Sequence, residues 1–249
     1  AETPEGRVTC WKANATGPAL MARVCAEHGI TLVHVSSDYV FDGTRKLHPE
    51  DEPFAPMGAY GQSKAAGDLA VGGCPRHYIA RSSWVIGDGH NFVKTMMGLS
   101  DRVAAGEIPQ VTVVDDQVGR LSFTRDMAEG IFWLLGYLDV LPLDWGFLGA
   151  IASVFGGSSP APYGTYNLTG SGEPKSWAQV AKRVFELANG NGSKVVPVTT
   201  AEYYASVEGP ISPRPEHSAM DLSKVQSIGF NPPDWEQELD GYVKTELAK

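Results

Sequence analysis

Apolar and polar positions change period repeatedly along this chain, and the changes mark out its elements. From Ala13 to His28 the apolar residues Ala19, Leu20, Val24 and Cys25 recur at helical spacing, and Gly29 follows where a left-handed cap would end a helix. Thr31 to Val35 (TLVHV) is a continuous, β-branched run, the pattern of a parallel strand covered on both faces. The polar triplet SSD and a loop rich in Pro and Gly, YVFDGTRKLHPEDEPFAPMG, come next. A loop at the C-terminal end of a strand is where open α/β sheets hold ligands. The pattern then predicts a helix from about Tyr60 to Val71, a strand over His77 to Val85 and a helix from Asn91 to about Ala105. A short strand at Val111 to Val114 and a helix from about Thr124 to Leu138 follow. Between 139 and 163 the alternation loosens into a Gly/Ser/Pro-rich excursion. A strand (Thr165 to Leu168), a helix N-capped by Ser176, a strand (Lys194 to Val198), a helix starting near Thr200 and a last helix near Trp235 to Leu247 complete the series. Strands alternating with helices predict the α/β class, with a smaller second lobe beginning near residue 140.

Composition narrows what such a fold is for. The 249 residues are 43% hydrophobic and 20% charged, so the chain can bury a core and disorder is excluded. A net charge of -9 with no Lys/Arg run repels phosphate backbones and argues against nucleic acid. The most apolar tract, near Ile131 to Leu138, is too short to span a membrane, and AETPEGRVTC has no apolar signal region. Cys10, Cys25 and Cys74 are odd in number and lack CxxC spacing, which suits reduced thiols in the cytoplasm. None of the six histidines forms an HxH or HxxxH pair, so no metal site is expected. Gly170-Ser171-Gly172 imitates a dinucleotide fingerprint but has Lys175 where the third glycine belongs, and reads as a turn. Asp115-Asp116 reads as a polar strand end.

The pair that carries chemistry is Tyr60 and Lys64. A spacing of four at a helix start places both on one face. A phenol with a pKa near 10 can exchange protons near neutral pH if a neighbouring cation favours phenolate, the role expected of Lys64. Ser37, at the end of the preceding strand, could hold a substrate oxygen beside the phenol.

The segments HVSSDYVFDG, AYGQSK, RSSWVIGDGHNFV, VVDDQVGR and RPEHSAMDLSK, with Gly229 and Trp235 behind them, occur in order over nearly the whole chain. Together they resemble the dTDP-4-dehydrorhamnose reductase family of extended short-chain dehydrogenases/reductases. The resemblance implies a Rossmann-like, doubly wound parallel sheet, incomplete at the N-terminus, in residues 1–140, and a mainly substrate-binding α/β lobe in 141–249, with segments interleaving. It implies NADPH or NADH as cofactor and a nucleotide-sugar substrate, dTDP-4-dehydro-L-rhamnose, reduced to dTDP-L-rhamnose. Ser37, Tyr60 and Lys64 match the family's catalytic Ser/Thr, Tyr and Lys. Asn14, Ser36 and Arg81 are expected to join Tyr60 and Lys64 around the cofactor.

Asp38, Trp84, Asn91, Phe92, Gln117 and Arg214 are expected on the substrate side. Trp84 has packing of the lobe interface as its alternative, Gln117 a purely structural turn, and Arg214 a structural place at the surface. Sugar-nucleotide 4,6-dehydratases carry Asp-Glu after the catalytic hydroxyl. Here Tyr39 follows Asp38, which favours plain carbonyl reduction. No GxxGxxG or GxGxxG segment occurs, and Ala1 matches a point well inside the family's Rossmann domain. The 249 residues alone are therefore expected to bind NADPH weakly. Similar reductases occur fused behind a sugar epimerase, so an epimerase partner, fused or separate, and a homodimer are further expectations. Two other functions stay open: a noncatalytic binding subunit like the regulatory subunit of methionine adenosyltransferase, and epimerisation of a related sugar nucleotide.

Overall fold

The computed structural model describes residues 1–137, 159–209 and 211–249. In chain order the helices and strands begin with α1 (Pro4–Trp11), α2 (Gly17–His28), β1 (Leu32–Ser37), α3 (Ala59–Gly72), β2 (His77–Ser82), β3 (Val85–Ile86) and α4 (Phe92–Ala104). They continue with β4 (Val111–Val114), β5 (Val118–Gly119), β6 (Ser122–Phe123), α5 (Thr124–Leu134), β7 (Gly164–Asn167), β8 (Lys175–Ser176) and α6 (Trp177–Asn189). The series closes with β9 (Val195–Val198), α7 (Thr200–Tyr203), α8 (Ser223–Ser227) and α9 (Trp235–Leu247). The excursion expected over 139–163 falls mostly outside the described residues.

The first helix starts nine residues before the apolar pattern predicts it. Thr3 caps it by accepting a hydrogen bond from Gly6 N at 3.1 Å, and Pro4, which needs no donor there, opens the first turn. A single π turn over Lys12–Thr16 joins α1 to α2. Pro18 lacks the N–H that would return to the Asn14 carbonyl, so the ladder widens there and that oxygen is free to face α3. It rests against Gly67, where any Cβ would collide with it. Gly67→Ala is accordingly expected to push α2 and α3 apart at a cost of about 3 kcal/mol, read as a lowered urea midpoint. An unchanged midpoint would show that the two helices do not need this contact.

β1, β2 and β7 form a parallel sheet in the order β1-β2-β7. β2 is its centre and is buried on both faces. Ile79 packs with Ala22 and Val71 from α2 and α3, while Tyr78 and Ala80 pack with Leu134, Tyr166 and Val225 from α5, β7 and α8. Helices on both sides make the sheet doubly wound. β1 differs from its prediction: it is an edge of the described sheet, with His34 turned inward and Val35 48% exposed. The register pairs Ser36 with Arg81 and Ser37 with Ser82, so the polar ends of both strands meet at one edge.

The strand expected over His77 to Val85 is two strands, because Trp84 adopts φ 47 and turns the chain between β2 and β3. A bulky residue in the left-handed region is strained, and tight packing must hold it there. A second core gathers α4, α6 and α9 with β3, β4, β6 and β9, around Ile86, Met96, Phe123, Val184, Phe185 and Trp235. Ser176 caps α6 with a complete capping box closed by Gln179. The chain crosses between the cores: β4 pairs with β9, while β7 returns to β2. Strand pairs joining residues before and after 140 thus occur in both cores.

Candidate active site

The site is built where β1 and β2 end and α3 begins. Ser37 Oγ accepts a hydrogen bond from Tyr39 N at 3.2 Å and donates to Asp38 Oδ1 at 2.9 Å. The Tyr60 phenol lies against the Ser37 hydroxyl, and its ring meets Tyr39 edge to face at 5.5 Å. Lys64, one turn further along α3, is 9% exposed and donates from Nζ to the Val35 carbonyl at 2.6 Å. The structure thus brings Ser37, Tyr60 and Lys64 together, with Asp38 beside them.

Burial dominates the electrostatics of the pair. Burial pushes the Tyr60 pKa up; the Ser37 hydroxyl opposes this, while Asp38 and Cys10 add to it. Lys64 Nζ gives one of its three N–H donors to β1. Burial also pulls the Lys64 pKa down, against the carboxylate of Asp68 and the thiol of Cys10. In this arrangement Tyr60 keeps its proton and is an acid in waiting.

Other groups complete the neighbourhood. Asn14 Nδ2 donates to Ser63 Oγ at 3.1 Å and to Cys10 Sγ at 3.3 Å, on the α3 face that carries Lys64. Ser36 Oγ is buried and without a hydrogen-bond partner. An ammonium and an orphaned hydroxyl at the C-terminal edge of a parallel sheet fit the nicotinamide-ribose end of a dinucleotide. For the pyrophosphate the sequence holds no glycine-rich turn. Arg214 Nη1 reaches the Tyr39 hydroxyl at 3.5 Å, which places a cation one phenol away from Tyr60.

Three expected ligand residues are engaged elsewhere. Arg81, assigned to the cofactor from the sequence, is a core group instead. It is 3% exposed, pairs through Nε with Asp68 Oδ2 at 3.0 Å, donates to the Glu50 carbonyl at 2.9 Å and lies between the rings of Phe41 and Phe54. Asn91, expected on the sugar nucleotide, uses its amide within the protein. Oδ1 caps α4 at Lys94 N, and Nδ2 faces Gly87 O, Gly89 O and the Tyr242 hydroxyl. Gln117 donates to Thr200 Oγ1 at 2.9 Å, toward α7.

Trp84 combines both of its readings. It stacks on Trp177 with centroids 3.6 Å apart, and Phe92 packs on the other side of that indole at 4.4 Å. Its edge also lies over Gly119, where a Cβ would meet both Trp84 and Ser218. Ser218 in turn faces Asp38. A chain of contacts therefore runs from Trp84 through Gly119 and Ser218 to Asp38, beside the Ser37–Tyr60 pair.

Sequence reasoning missed Glu2, whose Oε1 accepts a hydrogen bond from Ala59 N at 2.9 Å and caps α3, because Gly58 has no side chain to do so. It also missed Ser218, although that serine closes the RPEHS segment it had singled out. A groove of about 780 Å³ between α5 and α9, lined by Phe123, Phe132 and Tyr242 among others, contains none of the candidate residues. Chemistry rather than volume locates the site.

Comparison with known proteins identifies the family. The model of the RmlD substrate binding domain matches residues 2–247. The chain is 31% identical over 242 residues to the dTDP-4-dehydrorhamnose reductase of Aggregatibacter actinomycetemcomitans, covering 93% of this chain and 72% of that protein. It is 34% identical over 228 residues to that of Mycobacterium tuberculosis, covering 88% and 64%. Among solved structures, the dTDP-4-dehydrorhamnose reductase of Bacillus anthracis in complex with NADP matches with a TM-score of 0.75 at 30% identity, over 97% of this chain and 75% of that one. The enzyme of Clostridium acetobutylicum matches with a TM-score of 0.77 at 29% identity, over 98% and 75%. The chain thus spans about two thirds to three quarters of these relatives, and it belongs to the dTDP-4-dehydrorhamnose reductase family, the family of the RmlD substrate binding domain.

Proposed function

We propose that this protein reduces the C4 keto group of a nucleotide-linked deoxysugar, dTDP-4-dehydro-L-rhamnose, to give dTDP-L-rhamnose, with NADPH or NADH as reductant. The observation that carries the reading is the meeting of Ser37, Tyr60 and Lys64 at the joined ends of β1 and α3. When bound, the reduced nicotinamide supplies a hydride to the carbonyl carbon. Tyr60 gives its proton to the carbonyl oxygen. Its raised pKa ensures that the proton is present at neutral pH and leaves only when negative charge grows on that oxygen. Ser37 holds the same oxygen by a hydrogen bond. Lys64, tethered to Val35, holds the ribose side, and its charge is supported by Asp68 one turn further along α3. Arg214 supplies positive charge for the diphosphate against an overall balance of -9.

Three free thiols among the described residues fit a cytoplasmic enzyme, and no helix described here is long and apolar enough to cross a membrane. The test follows NADPH absorbance after addition of dTDP-4-dehydro-L-rhamnose. Consumption of one NADPH for each sugar reduced is the expected result. Sugar turnover without net NADPH consumption would point to epimerisation, and no turnover together with tight co-purification of another enzyme would point to a binding subunit. Either result overturns the reading.

A further inference from the structure

Ser37 has one proton to give and two lone pairs to receive. In this structure the proton goes to Asp38 Oδ1 at 2.9 Å, while the oxygen accepts from Tyr39 N and lies against the Tyr60 hydroxyl. A serine in that state cannot donate to a substrate carbonyl, and it draws the Tyr60 proton toward itself. Asp38 is 3% exposed, and its Oδ2 makes no hydrogen bond. The carboxyl is therefore built into the site without being spent on a structural ion pair.

We propose that Asp38 is a positioning residue that sets the direction of the Ser37 hydroxyl. As a carboxylate it holds the Ser37 proton; as a carboxylic acid it donates to Ser37 Oγ through the same contact and releases that proton to the substrate carbonyl. In the second state Ser37 accepts from Tyr39 N and Asp38, so its lone pairs are filled and the Tyr60 proton also turns to the substrate. Both donors then converge on one oxygen. No bond to carbon changes in this step, and the proton consumed by the reduction still comes from Tyr60. The proposal rests on the reductase reading of Ser37 and Tyr60.

The surroundings of Asp38 bear on how readily it changes state. Burial raises its pKa to about 6, against the facing hydroxyl of Ser218, the hydrogen bond from Ser37 and the charge of His48. From the loop after β1, His48 is fully buried, with Nδ1 2.9 Å from Glu52 Oε2 and Nε2 3.1 Å from the His217 carbonyl. From α3 and the turn after β1 come the phenols of Tyr60 and Tyr39, and Arg214 stands behind Tyr39. Ser218 comes from the segment that carries Arg214, so the substrate-gripping strip also touches the group that turns Ser37.

Two measurements test this, and the first needs no turnover. Carbon-detected NMR of protein carrying labelled aspartate, with Asp38 assigned through its loss in Asp38→Asn, should show a carboxyl titrating near 6. Ser37→Ala and Ser218→Ala should each move that midpoint upward, because each removes a hydroxyl that favours the carboxylate. A midpoint that ignores Ser37→Ala overturns the coupling. The second measurement is the pH profile of kcat with the ketosugar. In the unmodified protein kcat should rise on the order of tenfold from about pH 7 to about pH 5, as the protonated fraction grows through one titration.

Asp38→Asn should abolish that inflection, and Ser218→Ala should displace it in the direction seen by NMR. Asp126→Asn removes the other carboxyl raised to about 6 and should leave the inflection in place. An inflection that survives in Asp38→Asn, or a kcat that falls with acid, overturns the proposal. Absence of turnover in the unmodified protein strikes the reductase reading instead, and the response of Asp38 to Ser37→Ala still decides the coupling.

Discussion

Tyr60→Phe is expected to lower kcat by about two to four orders of magnitude, the range that a positioned general acid supplies, while KM for the ketosugar changes little. The substitution deletes one oxygen and keeps the ring, so the edge-to-face contact with Tyr39 at 5.5 Å and the packing at the start of α3 survive. Loss of rate with an unchanged thermal midpoint is thus the signature of a missing proton donor, not of a damaged fold. The pKa direction adds a second check. Because burial lifts the phenol above its usual value, Tyr60 stays protonated throughout the neutral and mildly alkaline range. Reduction should show no alkaline fall attributable to Tyr60 below about pH 10. Turnover of Tyr60→Phe equal to that of the unmodified protein removes Tyr60 from the mechanism.

What the sequence disclosed about this site was its order along the chain and its helical spacing. The period of four places Tyr60, Lys64 and Asp68 along one face of α3, and the β-branched run of β1 delivers Ser37 to the start of that face. Those are local facts, legible because side-chain direction follows backbone period. Partner choice depended on the third dimension. Lys64, 9% exposed, donates to the Val35 carbonyl, a contact that helical spacing does not foretell. Asn91 and Arg81 are polar residues at strand or helix ends, where ligands are common, but each is held by at least one partner brought from far along the chain. Glu50 lies 31 residues before Arg81, and Tyr242 lies 151 after Asn91. No periodicity foretells such partners. The break at Trp84 was equally hidden, since its left-handed backbone is held by stacking on Trp177 and close approach to Gly119.

Arg81→Met is expected to cost about 3–5 kcal/mol, because it leaves the Asp68 carboxylate buried without its cation. Asp68 is 2% exposed; its Oδ1 makes no hydrogen bond, with His34 Nε2 3.5 Å away, so Oδ2 and the Arg81 Nε carry the pairing. Methionine preserves much of the volume between Phe41 and Phe54, which separates loss of charge from loss of packing. For a chain of this size the cost corresponds to a fall in Tm of about 10 °C, at roughly 2–4 °C for each kcal/mol. Adding Asp68→Asn should return part of the loss, since the stranded charge is then gone; a double variant no better than Arg81→Met would show that packing alone holds the arginine. The same carboxylate opposes the burial that pulls the Lys64 pKa down. Asp68→Asn alone should therefore let that pKa fall further, and ligand binding that depends on the Lys64 charge should weaken at a lower pH than in the unmodified protein. One buried acid on α3 thus ties the arginine that fastens the Glu50 loop to the lysine that serves the site, and the two arms of the experiment, stability and binding, report on its two partners separately.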